Sequence, residues 1–155
     1  MSGQSNYSWG LVPSVQRKKN MGEHYEQYIT TNFMIQTMRL NPNVPQRYNR
    51  AAWLTLMQHY GLPTRLLDWS ESPLVALYFA LSSQENVDAA VWVMNPMKLN
   101  QKAGYGEYVP PINYDSLKDD LEGAFSNKIE EDNQGQNRIV ACLSDGTLWE
   151  AQTAL

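Results

Sequence analysis

The chain has 155 residues, 43% of them hydrophobic and 18% charged, and a net charge of -4. That length suits one compact domain burying roughly two-thirds of its unfolded surface, and five Trp, nine Tyr and three Phe argue for packing over disorder. The acidic balance counts against general nucleic-acid binding, and no apolar run nears the ~20 residues of a membrane helix. Met1 to Gly10 lacks the basic and apolar regions of a secretory signal, so a cytoplasmic setting with no membrane partner is expected.

The charge is split along the chain. Residues 1 to 70 carry seven Lys or Arg against three acids, a balance of +4, and residues 71 to 155 carry five against thirteen, a balance of -8. A basic first part suits one anionic ligand such as a nucleotide pyrophosphate, and equally suits two differently solvated faces. Cys142 is the only cysteine; it cannot close an internal disulfide or build a thiolate zinc site, so a small buried apolar residue is expected.

In chain order, Gly10-Leu11-Val12-Pro13-Ser14 reads as an extended segment ending in a turn. Tyr25, Tyr28, Ile29 and Phe33 recur at helical spacing, which predicts a helix from about Met21 to Met38. Asn41-Pro42-Asn43-Val44-Pro45 stops it, because proline lacks the amide donor and disfavours helix in the residue before it. The next helix is expected from about Tyr48 to Tyr60, with Trp53, Leu56, Met57 and Tyr60 facing the core and Gly61 ending it.

Ser72-Pro73 is a capping residue followed by a proline suited to a first helical turn. Leu74, Leu77, Tyr78 and Leu81 continue the helical spacing, and Val75 and Phe79 make the other side apolar as well. A helix apolar nearly all round is expected to run through the middle of the domain, from Pro73 to Leu81. Ala90 to Asn95 carries a strand signature. Asp115 to Phe125 reads as an amphipathic helix, Glu130 to Gln136 as an exposed loop, and Arg138 to Leu143 with Thr147 to Ala151 as two strands turning at Ser144-Asp145-Gly146. The class is α+β, with helices from the first half packed on a small, mostly antiparallel sheet.

The candidate chemistry lies between the second and third helices, from His59 to Trp69. Arg65 and Asp68 stand three apart, close enough to pair, and the Arg fork suits a carboxylate or a phosphate. Either the two neutralise each other beside the core while Trp69 fills volume, or Asp68 orients Arg65 towards a bound anion. His59 sits on the last turn of its helix, where the dipole favours the imidazolium; it either caps the helix or acts as a hydrogen-bond donor or general acid or base. His24, between Glu23 and Tyr25, reads as solvated. The sequence holds no Walker-type phosphate loop, no dinucleotide G-x-G-x-x-G, no paired-histidine zinc motif and no G-x-S-x-G turn, and its two histidines 35 positions apart define no metal site.

Gly3-Gln4, Trp9-Gly10-Leu11-Val12-Pro13-Ser14, Arg17, Gln58-His59-Tyr60-Gly61-Leu62-Pro63-Thr64-Arg65-Leu66-Leu67-Asp68-Trp69 and Ser72-Pro73-Leu74-Val75-Ala76-Leu77-Tyr78-Phe79-Ala80 together resemble the FRG domain. This bacterial and phage-associated family is named for an aromatic-Arg-Gly motif near its start. The resemblance covers about residues 1 to 100, leaves 101 to 155 divergent apart from Arg138-Ile139-Val140-Ala141, and treats 1 to 155 as a single FRG-like domain. Where the family has aromatic-Arg-Gly-Gln, this chain has Met1-Ser2-Gly3-Gln4, so the signature arginine is absent: either the chain is a fragment that begins inside the motif, or that arginine has been lost.

The signature is also similar to the opening of arginine-type ADP-ribosyltransferases, where the arginine holds the phosphates of NAD. The resemblance therefore implies a nucleotide or anion pocket with Gln4, Arg17, Tyr60, Thr64, Arg65, Trp69 and Tyr78 as ligand-binding residues and NAD as the cofactor. In its enzyme form, linked to phage defence, His59 or Asp68 polarises the ribose and a glutamate that the sequence does not single out stabilises the oxocarbenium charge. The rival reading is a non-catalytic protein-interaction module in which His59 to Trp69 is scaffold.

Overall fold

The computed structural model describes residues 1–17, 22, 24–83, 86–122, 125, 140–143 and 150–154. The elements are β1 (Ser2–Gln4), α1 (Tyr25–Leu40), α2 (Arg50–His59), β2 (Leu66–Ser70), α3 (Pro73–Leu81), β3 (Ala90–Trp92), α4 (Pro96–Lys102), a 3-10 turn (Asp115–Leu117) running into α5 (Lys118–Glu122), β4 (Val140–Leu143) and β5 (Glu150–Ala154). The strands form an antiparallel β1-β3 ribbon and a three-stranded antiparallel sheet in the order β2-β5-β4. The fold is α+β, as the pattern predicts. Met21, the 130–136 run, residues 138–139 and the 144–146 turn lie outside the described residues.

Local chemistry explains where the helices start and stop. Asn49, Ser72 and Asn95 each accept a hydrogen bond from a backbone amide of the first turn, at Ala52, Val75 and Lys98 respectively. α1 ends at Leu40, immediately before Asn41-Pro42. At the end of α2, Gly61 takes φ +72°, its amide donates to Gln58 O at 2.9 Å, and the Leu62 amide donates to Met57 O at 3.0 Å. That pair of bonds uses carbonyls the helix would leave orphaned, in an arrangement only a residue tolerant of left-handed backbone allows.

The main core gathers Ala51, Leu54 and Met57 of α2, Leu66 of β2, Val140 and Cys142 of β4, and Ile112, Leu117 and Leu121, with Ile29 and Phe33 of α1 packed against it. Trp53 is fully buried and meets Phe33 edge to face at 6.3 Å. The buried side of α2 is thus turned towards Ala51 and Leu54, and Tyr60, expected on the core stripe, is exposed.

α3 overturns a second expectation. It does not run through the middle of the domain: it lies on the β1-β3 ribbon, outside the main core, and buries only Ala76 and Ala80. Leu74, Val75, Leu77, Tyr78, Phe79 and Leu81 are all exposed. The reason is steric. A Cβ placed on Gly3 of β1 would stand 1.8 Å from the carbonyl oxygen of Ala76 and 2.7 Å from the amide nitrogen of Ala80, so helix and strand touch backbone to backbone through their smallest residues.

Candidate functional site

Between α2 and α3 the chain forms β2, with Asp68 in the middle of the strand and Arg65 at the bend just before it. Arg65 pairs with Glu26 of α1 and not with Asp68: Nε donates to Oε1 at 2.8 Å and one terminal nitrogen to Oε2 at 2.6 Å. The other terminal nitrogen donates to the Asp120 carbonyl at 3.1 Å. Both side chains of the pair are only 15% exposed. This forked geometry engages the guanidinium on the edge an anion would use.

Asp68 is exposed and accepts a 2.7 Å hydrogen bond from Gln58 Nε2. The Gln58 Oε1 in turn accepts from the hydroxyl of buried Thr64. The Thr64 amide donates to the Ser14 hydroxyl at 3.0 Å, and that hydroxyl donates back to the Thr64 carbonyl at 3.2 Å. A continuous polar chain therefore ties the N-terminal segment, α2 and β2 together through Ser14, Thr64, Gln58 and Asp68. Each member satisfies another, which is what fixes the loop ahead of β2.

The other predicted residues are dispersed. His59 is exposed and meets Tyr60 edge to face at 5.4 Å, and Tyr60 leans on Phe33 at 6.1 Å. Trp69 is buried, and among the described residues its indole Nε1 has no hydrogen-bond partner. Arg17 donates to the Val12 carbonyl at 2.7 Å. Tyr78 lies on the outer side of α3 against Phe79, with ring centroids 5.5 Å apart. Gln4 is buried, donating to Gly10 O at 3.2 Å and accepting from Trp92 Nε1 at 3.0 Å.

Open hollows mark the surface of the described residues. One, of about 440 Å³, is lined by His24, Gln27, Tyr28, Thr31, Asn32 and Phe125; another, of about 570 Å³, by Asn113 to Ser116. Neither is lined by any of the predicted ligand-binding residues. Among the described residues no group of three His, Cys, Asp or Glu is placed to hold a metal ion, and no helix is long and apolar enough to cross a membrane.

Sequence reasoning missed Glu26, Gln58 and Ser14. Glu26 had no local signal, since its partner lies 39 residues away. Gln58 stood inside the recognised string, one position before the histidine that drew attention. Cys142 is buried as expected, and burial pushes its thiol up to about 12.

The geometry defines an α+β domain whose polar string is an internal brace. The FRG domain family model matches residues 2–89, more than half of the chain, and the chain belongs to that family. No curated protein and no solved structure matches it. Gly3 and Gln4 occupy the Gly-Gln end of the family's signature. Ser2 is in register with Trp92 and Gly3 with Val91 across the β1-β3 ribbon.

Proposed function

We propose that this FRG domain is a non-catalytic protein-interaction module in which the His59 to Trp69 segment is scaffold. The observation that carries the reading is the forked Arg65-Glu26 pair, with its third bond to the Asp120 carbonyl. A nucleotide pocket built on Arg65 would have to displace a carboxylate that already fits the guanidinium edge to edge. The dispersal of Gln4, Arg17, Tyr60, Trp69 and Tyr78 over separate parts of the surface and interior supports the same reading, as does the apolar exterior of α3. A part in bacterial defence against phage accompanies it, resting on the family resemblance, as does a cytoplasmic setting, resting on the absence of a long apolar run and of a secretory pattern in residues 1–10.

Two measurements test the proposal. In thermal unfolding with and without NAD or ATP, the module leaves the transition unmoved, whereas a ligand site raises it with the logarithm of one plus ligand over Kd. Arg65→Ala leaves the largely buried Glu26 carboxylate without its cation, so the module reading expects a loss of about 3 kcal/mol. The double variant Arg65→Ala with Glu26→Ala should recover part of that loss. A stable Arg65→Ala variant of a chain that NAD protects, whose protection the substitution abolishes, would instead establish the nucleotide-pocket reading.

A further inference from the structure

We infer that α3 is the contact face between two copies of this chain, paired about a two-fold axis. The inference rests on the interaction-module reading and names its partner.

On a helix advancing 100° per residue, Ala76 and Ala80 point one way, into the β1-β3 ribbon, and Leu74, Leu77, Tyr78 and Leu81 point away from it. Leu74 is 75% exposed, Tyr78 68% and Leu81 63%. Their i, i+3, i+4, i+7 spacing is that of a stripe that packs against another helix. Val75 and Phe79 flank the stripe on one side, and exposed Val91 and Val93 extend the apolar surface onto β3 and just beyond it. Val91 is directly paired with Gly3 and so shares its face of the ribbon, the face α3 covers.

Area and charge then select the occupant. Leaving roughly half or more of six large side chains in water, at side-chain areas on the order of 150 to 250 Å² for the aromatics, exposes several hundred Å² on α3 alone. That approaches the ~800 Å² each partner buries in a standard interface, and it matches the largest apolar patches of solitary domains, which are often functional. From Ser72 to Ser83 the sequence contains no charged residue. A face without charge offers no electrostatic code for choosing a different partner. It also lets two chains of net charge -4 approach without opposing like charges at the contact. A short apolar ridge meets its own shape in a two-fold pairing, and such isologous contact is the commonest way soluble chains associate.

The test uses the full chain. Sedimentation equilibrium over the micromolar range should give a mass near twice 17.7 kDa. The double variant Leu74→Glu with Tyr78→Glu should give the single-chain mass with an unchanged circular dichroism spectrum, because both side chains already face solvent. A second readout uses the only native thiol being buried. Leu77→Cys, close to the axis, should be joined to its own copy by a short bis-maleimide, whereas Lys118→Cys on α5 should not. A single-chain mass for the parent at every concentration overturns the inference. So does a pair that survives both glutamates, or a mass that climbs past two copies. A single chain that also ignores NAD and ATP removes the second copy as partner but leaves the interaction module standing, whereas NAD binding lost with Arg65 removes the module itself.

Discussion

Gly3 has no room for a side chain. Its missing Cβ would sit 1.8 Å from a backbone oxygen of α3, and backbone, unlike a flexible side-chain tip, cannot step aside without moving the helix. Gly3→Ala should therefore cost at least ~2 kcal/mol, at the upper end of overpacking penalties, read as a drop in the urea midpoint. Ser2→Ala, where the side chain is on the opposite face of β1, should leave that midpoint in place, and equal behaviour of the two variants would contradict the backbone contact. The Gly-Gln of the signature was legible in the sequence as a family mark, but its cause was not: the obstructing atoms belong to Ala76 and Ala80, more than seventy positions on. Arg65 teaches the same at the level of one pair. Its spacing to Asp68 suggests a pair, but Asp68 lies within β2 and is held by Gln58, while Arg65, at the bend before the strand, meets Glu26 from α1.

At the scale of elements, local signals served where the cause was local. The cap at Ser72-Pro73 places the start of α3, the asparagine-proline stop places the end of α1, and Gly61 places the end of α2. β2 escaped notice because Leu66 to Ser70 has no clean alternation and is held by pairing with β5 more than eighty positions later. α4 carries a readable signal, Asn95 as cap and Pro96 in the first turn, at the very end of the stretch whose composition suits a strand. What the sequence could not supply for α3 was its buried side, since apolarity all round does not say which face has a neighbour. Asn100 shows how an element is secured once neighbours exist. From α4 it receives a 2.7 Å bond from the Ala141 amide and donates 2.7 and 2.8 Å bonds to the carbonyls of Tyr108 and Ala141. It thereby covers, at Ala141, the side of β4 that β5 leaves open, next to the stretch where Pro110 and Ile112 bond Leu143. Asn100→Ala orphans a buried amide and strips both carbonyls of a donor, at ~1 to 3 kcal/mol per stranded group. Hydrogen exchange at the Ala141 amide should accelerate well beyond the change in global stability; an amide as protected as before would refute the role.

At the scale of the whole molecule, one core organises the chain and a smaller layer rides on it. α2, β2, β4 and the 112–121 segment share the core, and α3 with the β1-β3 ribbon lies outside it, tied on where the Ser70 amide donates to the Met1 carbonyl at 2.7 Å. Cys142 sits in that core with no exposure, so its thiol reports on the integrity of the whole. Burial raises its pKa from 9.0 to about 12 because the thiolate would lose its water. Above pH 9 the unfolded chain gains by ionising this group while the folded chain does not. The stability its protonated form contributes is therefore complete below pH 9 and drains away as pH rises towards about 12. Cys142→Ala removes that one titration while leaving every tyrosine and lysine in place, so stability should fall less steeply for the variant than for the parent between pH 9 and 11. In the parent at pH 8, an aromatic disulfide reagent should react no faster than the domain opens globally, and its rate should rise with urea along the unfolding curve. A thiol that reacts at the speed of a free peptide under native conditions would mean that β4 opens without the rest, and the single cooperative core would have to be given up.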